Sequence, residues 1–432
     1  MGGKIQSLPG FRDFYPEDCA VRNYVFDHWR SVAHRYNFHE YEGPVLEPSE
    51  LYRKKSGDEI LKQLFHFEDR GGRSVAMRPE LTPTLARMAA ARQRDYRKPM
   101  RWFGIGQFFR YEKPQKGRSR EFYQFNVDIL GEPSQAADAE LIAFAIDLML
   151  DFGFCIDDFV IRLSNRDAWI EFMQAETIAP ENLSSFLQVI DKMERDNPET
   201  TATKLIDLGT SRQAVDNFIS SPAADKHFSS ILQNLSARNL SDYVKIDLGV
   251  VRGLAYYTGT VFEVFDHGKA MRSVAGGGRY DNLCGLVSNE STTMPACGFA
   301  MGDVVITDLI RETKNAHTRL LSHLGRTGAA DVHVIIADES MRPEALAAMQ
   351  HLRQAGYRVD YSMTETKVGK QFSQAEHAKA RVAVIIGSEY PSVGVKDLLQ
   401  RSEVKVDVGA MTDHVKTILD SPPEGPLYAQ ST

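Results

Sequence analysis

Residues 109–131 read FRYEKPQKGRSREFYQFNVDILG, preceded over 100–108 by MRWFGIGQF. Apolar and aromatic residues run into Arg110, a polar segment carries Lys113, Pro114, Lys116, Gly117, Arg118 and Arg120, and apolar alternation resumes at Phe122. The pattern predicts two strands joined by a long basic loop. Side chains two apart on a strand share a face, so Arg110 and Glu112 leave the first strand on one side. Phe122, Gln124 and Asp128 share one side of the second. A guanidinium, an aromatic ring, an amide and a carboxylate are thereby offered to one ligand, and the loop cations suit a polyphosphate. That set fits a nucleotide together with a small polar molecule. A solvated hairpin with a charged tip accounts for the same residues.

Residues 97–120 hold eight Lys or Arg against one acid, Glu112, in a chain of formal net charge −7. The basic character is a local patch and not a general affinity for nucleic acid. With 432 residues, 43% of them hydrophobic, the chain can bury two or three domain cores. Cys19, Cys155, Cys284 and Cys297 are scattered without CxxC pairing. That argues against a structural zinc or disulfide framework and predicts a reducing, cytoplasmic setting. No run of eighteen apolar residues and no apolar segment in MGGKIQSLPG is present, so neither a membrane span nor a secretory signal is expected. Gln6 stands where a myristoylation site needs Ser or Thr.

Moving outward, Ala20–Tyr36 repeats apolar residues at helical spacing, and residues 65–78 predict a hairpin around Gly71-Gly72. Glu80 and Thr82 precede a helix opened by Pro83 and can face one pocket, where a carboxylate and a hydroxyl suit an ammonium. A helix cap with an incidental acid explains them equally. Ser134 is positioned to cap a buried helix over 135–152. Short helical segments fill 165–239, and a strand pattern returns at Val244. A glycine run ends in Arg279 and Tyr280, with no Walker pattern. Residues 311–330 are polar and predict a linker. Beyond it, strands at 332–337, 357–361 and 382–386 alternate with helices, which implies a mainly parallel sheet.

Several of these strings resemble the histidine-specific class II aminoacyl-tRNA synthetases. RYEKPQKGRSREFYQF is similar to their second signature motif. RGLAYYTGTVFE, holding Arg252 and Tyr257, resembles their diagnostic peptide, with Ala255 in place of the usual aspartate. GGRYD also occurs at this point in the family, and the helix over 20–36 with its following strand resembles the first motif, which builds a dimer interface. PACGFAMGDVV resembles the third motif but places Val305 where an ATP-contacting arginine is usual. The expected compensation comes from Lys113, Lys116, Arg118, Arg120, Arg272 or Arg279.

The resemblance implies an α+β catalytic domain with an antiparallel sheet over 1–164 and 240–310, interrupted by a helical insertion over 165–239. After the linker over 311–330, it implies an α/β anticodon-binding-like domain over 331–432. It further implies a cytoplasmic homodimer that joins histidine to its tRNA through a histidyl-adenylate, with ATP as substrate and Mg²⁺ as companion ion. By position, Arg110 and Arg252 would flank the α-phosphate, Arg118 would hold the outer phosphates, and Phe122 would stack on adenine. Glu112 would contact the adenine amino edge or a metal. Glu80 and Thr82 would hold the amino group of histidine, Gln124 its carboxylate, and Asp128, Tyr257 and Tyr280 its ring. The family also contains a histidine-binding regulatory paralogue of histidine biosynthesis that charges no tRNA. Such paralogues usually lack a C-terminal domain of the kind predicted here.

Overall fold

The computed structural model describes residues 5–56, 63–113, 117, 119–193, 196–221, 226–251, 256–268, 273–289, 292–326 and 329–421. The chain divides into two units, Met1–Leu320 and Leu321–Thr432. In the first, helix α1 (Pro16–Arg35) starts with proline at a position whose N–H has no helical partner, and carries Glu17 and Asp18 in its first turn. There follow β1 (His39–Glu40), β2 (Leu46–Pro48), α2 (Ser49–Ser56), β3 (His66–Glu68), β4 (Ser74–Met77), α3 (Thr82–Arg92) and the long pair β5 (Met100–Phe109) and β6 (Glu121–Leu130). After α4 (Gln135–Phe152) and β7 (Phe159–Asn165) come the α-helices α5 (Arg166–Ala175), α6 (Leu183–Lys192), α7 (Pro198–Asp207), α8 (Arg212–Ile219) and α9 (Ser229–Ala237). The chain then returns through β8 (Val244–Ile246), β9 (Thr260–Asp266), β10 (Ala275–Arg279), α10 (Leu283–Val287), β11 (Ala296–Gly302), α11 (Asp303–Glu312) and α12 (Lys314–Arg326).

Eight of these strands form one sheet in the order β1-β5-β6-β11-β10-β9-β7-β8. The pairs from β5 to β7 are antiparallel, and only the edge pairs β1/β5 and β7/β8 are parallel. Strand β6 shows how the sequence sets the register. Phe125, Val127 and Ile129 are buried, with Trp29 of α1 stacked on Phe125 at 5.3 Å and Phe144 of α4 at 6.0 Å. Phe122, Gln124, Asn126 and Asp128 occupy the opposite face. A slip of one residue would exchange the two sets, and burying each of these apolar side chains contributes about 1.5–3 kcal/mol, so the polar face is held in place by the apolar one.

Helix α4 is buried along most of its length, with Leu141, Ile142, Phe144, Ala145, Leu148 and Met149 fully buried and its acids Glu140, Asp147 and Asp151 paired with Arg101, Tyr36 and Arg35. Ser134 does not cap it through its side chain as expected; its carbonyl accepts from Arg279 Nη2 at 2.9 Å. The stretch expected as a linker is also different. Residues 314–326 are helical, because Ala316 and Leu320 are one turn apart and buried, and Arg319 donates to the carbonyl of Asp151 at 3.1 Å. Their polar neighbours conceal that short apolar stripe in the sequence.

The second unit contains β12 (Val332–Ile336), α13 (Arg342–Gln354), β13 (Val359–Tyr361), α14 (Val368–His377), β14 (Val382–Ile386), β15 (Ser392–Asp397), β16 (Ser402–Asp407) and α15 (Met411–Asp420). The order β13-β12-β14-β15-β16 makes the first three strands parallel and adds an antiparallel pair absent from the sequence reading. Strand β16 escapes notice because it is mostly exposed and buries no apolar face.

His333 lies on β12, 1% exposed, and among the described residues neither ring nitrogen has a hydrogen-bond partner; a carboxylate oxygen of Asp360 is 3.7 Å away. Burial lowers its pKa below the ordinary 6.5, and Asp360 only partly opposes this. The unfolded chain therefore takes up a proton before the folded one. Stability from the neutral ring is full above about pH 6.5 and is lost as pH falls towards the folded value. Thermal unfolding from pH 8 to pH 5 should show the C-terminal unit losing stability in that window, and His333→Leu should flatten the loss. Parallel pH curves for the two proteins would contradict this.

Candidate active site

The polar face of β6 lies in a trough cleared by small residues on both neighbouring strands. Gly106 pairs with Gln124, Gly104 with Asn126 and Gly298 with Asp128. At Gly298 a methyl group would stand 2.0 Å from Asp128 Oδ1, so the carboxylate occupies the space a side chain would need. At Gly106 the space belongs to Arg78, which is 2% exposed and donates to the carbonyls of Gln107 at 2.9 Å and Gly43 at 2.8 Å. It also pairs with Glu42 at 2.5 Å.

Two cavities meet in this trough. The inner one, about 60 Å³, is lined by Glu80, Thr82, Arg110, Gln124, Asn126, Asp128, Tyr256, Tyr257 and Tyr280. The structure thus brings together every residue expected to hold histidine. The outer one, about 300 Å³, is lined by Arg110, Glu112, Phe122, Gln124, Glu263 and Val305 among others. Arg110 and Gln124 border both, so a molecule spanning the cavities would pass these two side chains.

Asp128, 4% exposed, accepts a short hydrogen bond from the hydroxyl of Tyr280. Burial pushes its carboxyl up to about 7, against the pull of that bond. Burial followed by the nearby Asp128 charge holds the Tyr280 phenol far above its ordinary range, so it stays a donor. Tyr256 bridges the two other tyrosines, with its ring 4.8 Å from Tyr257 and 5.9 Å from Tyr280. Arg110 donates through Nε to the carbonyl of Pro79 at 3.1 Å, and its guanidinium lies 5.0 Å from the centre of the Phe122 ring. This aims a cation at the junction of the two cavities.

Arg118 and Arg252, together with Lys116, Arg272 and Ala255, lie outside the described residues. Arg279 does not compensate for Val305. It is 6% exposed, bonded to both oxygens of Asp138, to Asp281 and to the carbonyls of Glu132 and Ser134, and it ties β10 to the start of α4. Arg120 is likewise occupied, with Nε on the carbonyl of Glu112 at 3.0 Å and its guanidinium 4.6 Å from the ring of Tyr111. Sequence reasoning missed Asn126, Tyr256 and Glu263. For Asn126 the signal was present, since it lies two residues from both Gln124 and Asp128. Among the described residues no cluster of three metal-ligating side chains occurs.

Residues 10–305 match the family model described as histidyl-tRNA synthetase. The chain belongs to that family. Residues 331–418 match the anticodon binding domain. A histidine–tRNA ligase of Opitutus terrae is 39% identical over 93% of this chain and 96% of its own length, and one of Haloarcula marismortui is 36% identical over 94% and 96%. The crystal structure of histidyl-tRNA synthetase from Nostoc sp. PCC 7120 superposes with a TM-score of 0.77 at 26% identity, covering 96% of this chain and all of that one. Within the histidyl-tRNA synthetase family frame, Val305 sits on α11 at the wall of the outer cavity. It places an apolar surface where the family motif supplies a cation.

Proposed function

We propose that the chain activates histidine with ATP and transfers it to the terminal ribose of tRNA(His). The observation that carries this reading is the convergence of Glu80, Thr82, Gln124, Asp128, Tyr257 and Tyr280 on one small cavity that opens, past Arg110, into a larger one. A histidine carboxylate oxygen attacks the α-phosphorus, pyrophosphate leaves, and the ribose hydroxyl then displaces AMP. No protein nucleophile is required; the side chains position the reactants and meet the developing phosphate charge.

In this reading Glu80 and Thr82 take the amino group, Gln124 the carboxylate, and Asp128 with Tyr257 and Tyr280 the ring. Arg110 meets the α-phosphate, and Phe122 stacks on adenine. Arg118 and Arg252 keep the phosphate roles that the family motif implies for them. Glu112 and Glu263 both line the outer cavity, and their hard oxygen donors fit Mg²⁺, which neutralises triphosphate charge when bound. The exposed Leu46 and Phe67 on the sheet β2-β4-β3 support a homodimer. The catalytic domain then comprises 1–164 and 240–310, with 165–239 as insertion and 331–432 engaging tRNA. No helix among the described residues is long and apolar enough to cross a membrane. The histidine-binding regulatory reading is not favoured, because relatives similar over nearly the whole chain are histidine–tRNA ligases and an anticodon binding domain is present.

Purified protein should support ATP/pyrophosphate exchange with histidine, and glutamine or asparagine should be poorer by ~10⁴ or more, as polar pockets left unpaired can discriminate to that degree. Comparable exchange with either amide would overturn the assignment. Histidine binding without exchange at any ATP concentration would point to the regulatory role.

A further inference from the structure

Gln124, Asn126 and Asp128 stand at alternate positions on one face of β6, about 6.8 Å apart in successive steps. Gln124 borders both cavities, whereas Asn126 and Asp128 border only the inner one, so depth increases in that order. Asn126 is 4% exposed, and its Nδ2 is shut off from solvent with no hydrogen-bond partner among the described residues. A buried, unpaired amide donor costs about 1–3 kcal/mol, and such groups persist where something other than the folded chain uses them.

The chemistry of the ring identifies that use. Neutral imidazole has one N–H donor and one bare nitrogen acceptor. Asp128, already accepting from Tyr280, is suited as a carboxylate to take the ring N–H. The other ring nitrogen then needs a donor, and Asn126 lies one strand step nearer the mouth, on the side of the ring closer to the amino-acid backbone. Resting on the histidine assignment above, we propose that Asn126 is a specificity-determining residue. It donates through Nδ2 to the proximal ring nitrogen, so that the pocket accepts the neutral ring with its proton on the distal nitrogen.

Four measurements test this. In the intact protein, ¹⁵N spectra of bound ring-labelled histidine should show one protonated and one bare nitrogen; two protonated nitrogens would overturn the proposal without recourse to any variant. Asn126→Ala should raise the KM for histidine in pyrophosphate exchange about 5- to 150-fold, with kcat within about twofold, since the contact is the same in ground and transition states. The analogue 3-(pyrrol-3-yl)alanine keeps the distal N–H and lacks the proximal acceptor. Wild type should discriminate against it, and Asn126→Ala should lose that discrimination. Asn126→Asp, which replaces the donor by an acceptor at constant size, should move the optimum of histidine binding to lower pH, where the ring, of ordinary pKa about 6.5, carries two protons. An unchanged KM in Asn126→Ala, a persistent analogue penalty, or an unmoved pH optimum would refute the role. Wild-type exchange with histidine in the same assay separates failure of this proposal from failure of the substrate assignment.

Discussion

Asp128→Asn should abolish most histidine use while making the unliganded protein more heat-stable at alkaline pH. The loss follows from replacing a charged carboxylate, whose two oxygens can accept from both Tyr280 and the ring N–H, by an amide with one neutral acceptor oxygen. A hydrogen bond to a charged group contributes about 1.5–3 kcal/mol, so the KM for histidine rises roughly ten- to more than a hundredfold. The gain follows from the carboxyl's folded pKa of about 7, raised by burial from an ordinary 3.8. Between those values the folded state keeps a proton that the unfolded chain has released. Stability from this group is full below about pH 4 and declines as pH rises through 7, the reverse of the His333 case. Asparagine carries no such penalty. The melting temperature of the variant should therefore exceed that of wild type by a margin that widens from pH 5 to pH 8, at about 2–4 °C per kcal/mol. Because His333 titrates in both proteins, its effect cancels in the difference. A constant margin, or near-normal histidine exchange, would show that Asp128 is neither desolvated nor in contact with the ring.

Arg110→Ala should slow adenylate formation by about 10²–10³-fold with little change in histidine affinity. A preorganised donor aimed at charge that develops on the phosphoryl group acts mainly in the transition state, where the loss of one donor costs about 2.7–4 kcal/mol. The geometry sharpens the expectation: Arg110 is held by the carbonyl of Pro79 and lies over Phe122 at the point where the two cavities join. Arg110→Lys should recover only part of the rate, since an ammonium cannot keep the Pro79 bond and also present a planar fork to phosphate. Single-turnover activation alongside calorimetric histidine binding separates the two effects. A variant that activates at a normal rate, or one that loses histidine binding in equal measure, would place Arg110 elsewhere in the reaction.

The inner cavity was legible where its residues are near one another in sequence. The period of two in FYQFNVD puts Phe122, Gln124 and Asp128 on one face whatever the strand pairs with, and the same rule would have returned Asn126. Glu80 and Thr82 were legible because helix α3 begins at Thr82 with Pro83 in its first turn. Arg279 was misplaced for the opposite reason. A guanidinium beside a glycine run looks free in sequence, and only the fold brings Asp138, 141 residues away, against it. The helix over 314–326 was missed because its apolar stripe is short and set among polar residues, and the strand β16 because it is mostly exposed.

Local chain geometry determined from sequence alone which side chains share a strand face, where helices start, and that an alternating β and α unit closes the chain. Tertiary structure decided which of those faces meet. Tyr280 reaches Asp128 across 152 residues, Gly298 on β11 yields its space to the Asp128 carboxylate, and the Asn126 amide nitrogen is left sealed and unpaired among the described residues. The physical reason is the range of the forces involved. Strand and helix periods follow from bonds between neighbours, whereas partner choice, desolvation and pKa are set by packing between segments far apart in the chain.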